Sequence, residues 1–226
     1  MKWNENDLRL ALRYAHVKEE KDSPFRDWLV ALEPVLQEVI TPRVTWRVFS
    51  CHKEADGIAL EPGHLMLPGN LATSLLGECG QVIVAAASLG HGFDRQLTLY
   101  EACNEPARAL LWDAAGSVWI EKVMDELETV LKATPEFENR FFTDRFSCGY
   151  GDLPLALQKE IGVLLNLPFR CGIQVLDSCM MAPTKSITAF IGVADQMQPA
   201  RIRGCAFCSM NSQCAYRKKG KTCHES

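Results

Sequence analysis

The 226-residue sequence has no apolar run approaching the ~20 residues that a membrane-spanning helix needs. Its longest, Val82 to Ala87, is the length of a strand and ends at Ser88-Leu89-Gly90, which suits a buried strand entering a turn. The opening residues, Met1-Lys2-Trp3-Asn4-Glu5-Asn6-Asp7, are polar and acidic where a secretory leader is basic and then apolar, so a cytoplasmic location is expected. G-x-x-x-x-G-K-[ST], G-x-G-x-x-G and H-E-x-x-H are all missing, which leaves ATP, nicotinamide and zinc-protease readings without support. His16, His52, His64 and His91 have no partner at ligand spacing, and Gly90-His91-Gly92 lacks the serine context of a hydrolase oxyanion loop. There is no internal repeat and no low-complexity tract.

What is present is ordinary in bulk. Hydrophobic residues at 47% and charged residues at 23% are the proportions of a soluble globular protein, and the length fits one medium domain with or without an appendage. The net charge of −4 is unevenly spread. Residues 200 to 226 carry Arg201, Arg203, Arg217, Lys218, Lys219 and Lys221 against Glu225, which makes the tail +5 and the rest −9. An acidic body gives no case for nucleic acid. Ten cysteines without a secretory leader point to reduced thiols rather than a disulfide framework. Cys51, Cys79, Cys103, Cys148, Cys171 and Cys179 lie in or beside apolar stretches and read as small core residues, Cys148 being the one with a second reading.

Helical spacing of Leu8, Leu12 and Ala15 marks a first helix within residues 5 to 20, and Ser23-Pro24 offers an N-cap and first-turn proline for a second. Trp28, Leu29, Leu32, Val35, Leu36 and Val39 form the apolar face of that second helix, with Pro34 bending it or delaying its start. Val44, Trp46 and Val48 alternate as in a half-buried strand, and Gly57 to Leu67 reads as further short extended pieces. A short helix around Leu71 to Leu76, the 82 to 87 strand and a helix from Asp94 to Cys103 follow. Pro106 opens the longest helical pattern, to about Ala133, with Leu110, Leu111, Ala114, Val118, Val123, Leu127 and Val130 as expected core. Asp113, Ser117, Glu121 and Asp125 fall four apart on it, a stripe that suits a solvated face or the border of a ligand cleft. A helix from about Leu153 to Leu167, capped by Asp152, and strands at Gly172 to Leu176 and Ile187 to Val193 complete the pattern.

Arg145-Phe146-Ser147-Cys148-Gly149-Tyr150-Gly151-Asp152 is a loop with two glycines ahead of that helix. Met181-Ala182-Pro183-Thr184-Lys185-Ser186-Ile187-Thr188 is a proline-containing turn entering a strand. Together with Leu111 to Glu121 in the long helix, these segments resemble the activation domain of vitamin B12-dependent methionine synthase in its freestanding form. The resemblance implies that residues 1 to 200 form an S-adenosylmethionine-binding α+β domain, with a twisted, largely antiparallel sheet flanked by helices. It places Arg145 and the backbone around Ser147, Cys148, Gly149 and Tyr150 on the donor. An arginine fork suits a carboxylate, glycines admit the adenine edge, and a tyrosine offers a face to a cationic methyl donor. Cys148 stands where the family carries proline, and Phe190-Ile191 where it carries a tyrosine.

The implied role is reductive reactivation of cob(II)alamin on a separate cobalamin-binding methyltransferase subunit, with an electron donor, since the chain is too short to hold the other modules. Unfavourable one-electron reduction is coupled in that family to irreversible methyl transfer. A corrinoid-independent methyltransferase and a metal-stabilised interaction module for a corrinoid protein are the other readings. The tail, residues 201 to 226, carries Cys205, Cys208, Cys214 and Cys223 as C-x2-C-x5-C-x8-C. Four thiolates suit zinc or an iron-sulfur cluster, and the spacing does not choose between them or exclude a metal-free tail.

Overall fold

A computed structural model describes residues 2–17, 24–198, 202, 212–214 and 217–220. Ser23 and three of the four tail cysteines lie outside these residues. In chain order the elements are α1 (Glu5–Tyr14), α2 (Pro24–Val39), β1 (Arg43–Glu54), β2 (Gly57–Glu61), β3 (Leu65–Pro68), α3 (Asn70–Leu76), β4 (Gln81–Ser88), α4 (His91–Ala102) and α5 (Pro106–Lys132). Then come β5 (Phe141–Phe142), α6 (Leu157–Leu164), α7 (Leu167–Cys171), β6 (Gln174–Val175), β7 (Met181–Ala182) and β8 (Ser186–Ala194). Six strands form one sheet in the order β3-β2-β1-β4-β8-β5, and β6 with β7 makes a separate hairpin. Every pairing is antiparallel, so the α+β class with an antiparallel sheet flanked by helices is what the chain adopts.

The unbroken apolar run of β4 has a simple cause: both faces of the sheet are covered. Ile83, Ala85 and Ala87 face the helices α1, α2, α4 and α5, while Val82, Val84 and Ala86 face α3, α6 and α7. β8 does the same with Ala189 and Ile191 on the first side and Phe190 on the second. Alternation along these two central strands therefore sorts the chain into two cores.

α5 is the backbone of the first core. Leu111, Ala114, Val118, Val123 and Leu127 are buried as expected, but Leu110 and Val130 are exposed. Leu110 lies eighteen residues, five full turns, from Glu128 and so falls in line with the polar stripe. Val130 stands beside Thr129 and four residues after Glu126, both exposed as well, on the outer side of the helix. Trp28 of α2 is likewise exposed, at the margin of the face that Leu29, Leu32 and Leu36 bury. Pro34 sits inside α2 rather than at its start.

After the loop at residue 145 two expectations change. The helix begins at Leu157, not Leu153, because residues 154 to 159 first close i to i+3 bonds such as Gln158 N–H to Leu155 O at 3.0 Å. Asp152 does not cap it. Its carboxylate accepts from the N–H groups of Asn70 (2.6 Å) and Leu71 (3.0 Å), capping α3 instead. Those donors hold the Asp152 carboxyl below its ordinary pKa. The strand expected at 172 to 176 shortens to β6, and β8 runs close to its expected bounds. No helix among the described residues is long and apolar enough to cross a membrane.

Candidate functional site

The two motif segments meet at the free edge of β8. Phe146 and Phe190 exchange both backbone hydrogen bonds, at 3.1 and 2.8 Å, which fixes the loop against the strand. Side chains alternate across this bridge. Phe146 goes to the α6 side, where its ring lies 5.5 Å from that of Phe190, and Arg145 goes to the α5 side. Thr188 and Ser186 are two and four residues before Phe190, so their backbone groups face the same open edge. The Ser147 hydroxyl donates to Thr188 O at 2.6 Å.

Arg145 is 8% exposed and held by three carboxylates of α5. Nη2 bonds Glu121, while Nη1 bonds Asp125 at 2.6 Å and Glu128. Burial by itself would lower the guanidinium pKa, but the hydrogen bonds it donates to Glu121, Glu128 and Asp125 outweigh this and raise it. Lys132 also meets Glu128, at 3.8 Å, so two positive charges among three negative ones leave the cluster with an excess of one negative charge. Glu121 and Asp125 remain open to water, whereas Glu128 is nearly enclosed. The polar stripe seen in sequence is thus an ion-pairing face, and Glu128 extends it by one further turn.

Lys185, from the turn before β8, occupies the other end of the same stripe. Its ammonium meets Asp113 at 2.8 Å and the Ser117 hydroxyl at 2.9 Å, and it lies 5.8 Å from the Phe93 ring centroid. Thr184 next to it gives its N–H and hydroxyl to Asp94 of α4. Beneath the loop, Thr188 donates to Gln158 Oε1 at 3.0 Å, and both side chains are buried. Neither Lys185 nor Gln158 is singled out by any sequence signal. Their partners lie 23 to 72 residues away and appear only when the two motifs pack.

Among the expected site residues, Arg145, Ser147, Cys148, Gly149 and Tyr150 form one continuous turn. Gly149 has φ +85° and its N–H bonds Leu153 O at 2.9 Å, a conformation that suits glycine. Tyr150 is 58% exposed, with its ring available beside the loop. Cys148 is buried, and burial pushes its thiol up to about 12. Cys51, Cys79 and Cys171 are buried too, Cys179 is half-buried, and Cys103, expected in the core, is exposed. Of the tail ligand set, Cys205, Cys208 and Cys223 lie outside the described residues. Cys214 is half-buried, and its carbonyl accepts from Lys218 N–H at 3.2 Å. Among the described residues there is no group of three or more His, Cys, Asp or Glu that could hold a metal.

Fold and site together define an α+β domain with a doubly covered antiparallel sheet, whose β8 edge is bordered by the 145–151 loop and by the ion-paired face of α5. The chain is similar in structure to the MetH reactivation domain, in a crystal structure with AdoHcy bound. The TM-score is 0.59 at 15% identity, over 88% of this chain and 71% of that one, a likeness that shows the fold. No family model matches the sequence, and no curated protein matches it.

Proposed function

We propose that the chain binds S-adenosylmethionine in a groove along the β8 edge, between α5 and the 145–151 loop, and supports reductive remethylation of a cob(II)alamin carried by a separate corrinoid protein. The observation that supports this reading is that Arg145, the Gly149-Tyr150 turn and the outward edge of β8 adjoin through the Phe146–Phe190 bridge, on a fold similar to that of a reactivation domain bound to AdoHcy.

The residues suit such a ligand by charge and hydrogen-bonding chemistry. S-adenosylmethionine carries an ammonium, a sulfonium and a carboxylate, a net +1. The excess negative charge around Arg145 favours the cationic groups, which can reach the water-exposed oxygens of Glu121 and Asp125. Arg145 offers its fork to the carboxylate, in competition with Glu121 and Asp125. The exposed Tyr150 ring suits the sulfonium or adenine, and the edge groups of Ser186 and Thr188 suit the polar rim of the base. Bound there, the donor supplies the methyl group; the protein's part is to position it against the partner's corrinoid.

Calorimetric titration with S-adenosylmethionine, with and without a cob(II)alamin-loaded corrinoid domain, tests the proposal. Saturable binding that strengthens with the corrinoid domain is expected. An absence of binding in both titrations would remove the donor from this groove.

A further inference from the structure

The chain uses its cysteines in two ways. Cys51, Cys79, Cys148 and Cys171 are buried among apolar side chains of the core on the α6 side, where they act as packing. Cys205, Cys208, Cys214 and Cys223 instead fall within 19 residues beyond β8, with four basic residues and no acidic one between the first and the last. Thiols at C-x2-C spacing converge on one centre, and the two that follow complete a tetrahedral set. Such a set around an iron-sulfur core is a dianion, which Arg217, Lys218, Lys219 and Lys221 offset, and cations of this kind also favour thiolate over thiol.

Ile202 packs against the core on the α6 side and gives its N–H to the Asp144 carboxylate at 3.0 Å. Asp144 immediately precedes Arg145, so the tail departs from the loop that borders the β8 edge. Cys205 is three residues on, a reach of ~10 Å at most for extended chain. Between the third and fourth thiols, Arg217–Lys219 form a 3-10 turn, Lys218 N–H bonds Cys214 O at 3.2 Å, and Gly220 takes φ +70° with its N–H on Arg217 O. That turn folds back a spacing that extended chain would hold open.

We infer that the four tail thiolates hold an iron-sulfur cluster, stationed beside the 145–151 loop to pass single electrons to the partner's corrinoid. The electron role rests on the remethylation proposed above; metal binding does not. Zinc suits the spacing equally but has no redox chemistry, whereas cob(II)alamin needs one electron before it can take a methyl cation. The reduced cluster gives up that electron and cob(II)alamin becomes cob(I)alamin. Cobalt then supplies the pair for the new Co–CH3 bond, the S–CH3 bond breaks with its pair staying on sulfur, and S-adenosylhomocysteine leaves. A low-potential one-electron carrier restores the cluster.

Assays of the anaerobically purified full chain for iron, zinc and acid-labile sulfide read the site directly. Iron and sulfide in equal amounts, about two or four per chain, are expected, with a visible absorption that dithionite bleaches. Cys208→Ser and Cys214→Ser should each lose iron at least tenfold, and Cys103→Ser, exposed but outside the set, should keep it, all with unchanged circular dichroism. Zinc in place of iron, a chain still without metal after reconstitution with ferrous iron and sulfide, or iron retained by either tail variant would overturn the cluster. Mixing the reduced chain with a cob(II)alamin-loaded corrinoid domain and S-adenosylmethionine should reoxidise the cluster as methylcobalamin forms, one electron for each. An intact cluster that stays reduced, in a chain that binds the donor, would overturn its electron role. Donor calorimetry on Cys208→Ser should match wild type, so a missing cluster and a missing donor site are told apart.

Discussion

At Arg145 the balance between burial and charge decides what a substitution does. Removing the guanidinium leaves Glu128 nearly enclosed and without its strongest partner, beside two further carboxylates. Breaking a buried ion pair costs 3–5 kcal/mol, and because Glu121 and Asp125 can relax into water the lower end applies. Arg145→Ala should therefore lower the urea unfolding free energy by about 3 kcal/mol, and a loss under about 1 kcal/mol would show that the cluster carries little. That cost would confound a binding measurement, so Arg145→Lys is the cleaner probe. It keeps the charge but not the planar fork, and should weaken S-adenosylmethionine about tenfold while costing less stability. Asp152 gives a pH signature. Its folded pKa is depressed, so its capping of α3 contributes stability above the ordinary value of 3.8 and loses it as pH falls below. The thermal midpoint of Asp152→Ala should lie below wild type at pH 7, with the gap narrowing below pH 4; a pH-independent gap would rule out the charged cap.

Among the elements, α5 shows how far pattern alone reaches. Its 27 residues and its proline start were legible because a long amphipathic period survives local irregularity. The β4 run was legible as a strand because burial on both faces removes polar alternation. The polar stripe was visible too, but its meaning was not: Arg145 and Lys185 reach it from loops 17 to 72 residues away, a tertiary fact with no local signal. Asp152 was misassigned for the same reason, since α3 lies 81 residues upstream and the nearer helix offered itself first. Gly116 makes the packing of this helix testable. A Cβ there would lie 2.2 Å from Phe93 Cζ and 3.0 Å from Lys185 Cγ. Phe93 cannot swing aside, being buried and stacked on Trp112 at 5.1 Å. Helix propensity alone would make Gly116→Ala stabilising by ~1 kcal/mol. Overpacking costs 1–3 kcal/mol and should win, so the variant's urea midpoint should fall. A rise would mean that α4 and α5 separate easily.

For the whole molecule, the sheet divides two cores, and four thiols report on one of them. Cys51, Cys79, Cys148 and Cys171 all belong to the core on the α6 side. Burial pushes Cys51 and Cys148 up to about 12, and Cys79 and Cys171 up to about 11. At pH 8 the reactive thiolate is then a fraction on the order of 10⁻³ to 10⁻⁴ even before access is considered. Exposed Cys103 has no such protection from burial. Iodoacetamide at pH 8, with the sites read by peptide mass spectrometry, should label Cys103 within minutes and spare the four. If β4 and β8 bind the two cores into one cooperative unit, the four should become labelled together, at the urea concentration where the helical signal is lost. Cys148 is the discriminating site, because it lies in the loop that lines the groove. Labelling there ahead of Cys51, Cys79 and Cys171 would show that the loop opens by itself, at a lower free energy than global unfolding. S-adenosylmethionine bound in the groove should close that route. Protection of Cys148 that rises with donor concentration, with Cys51 unchanged below the unfolding transition, would tie the ligand to the loop and not merely to the fold.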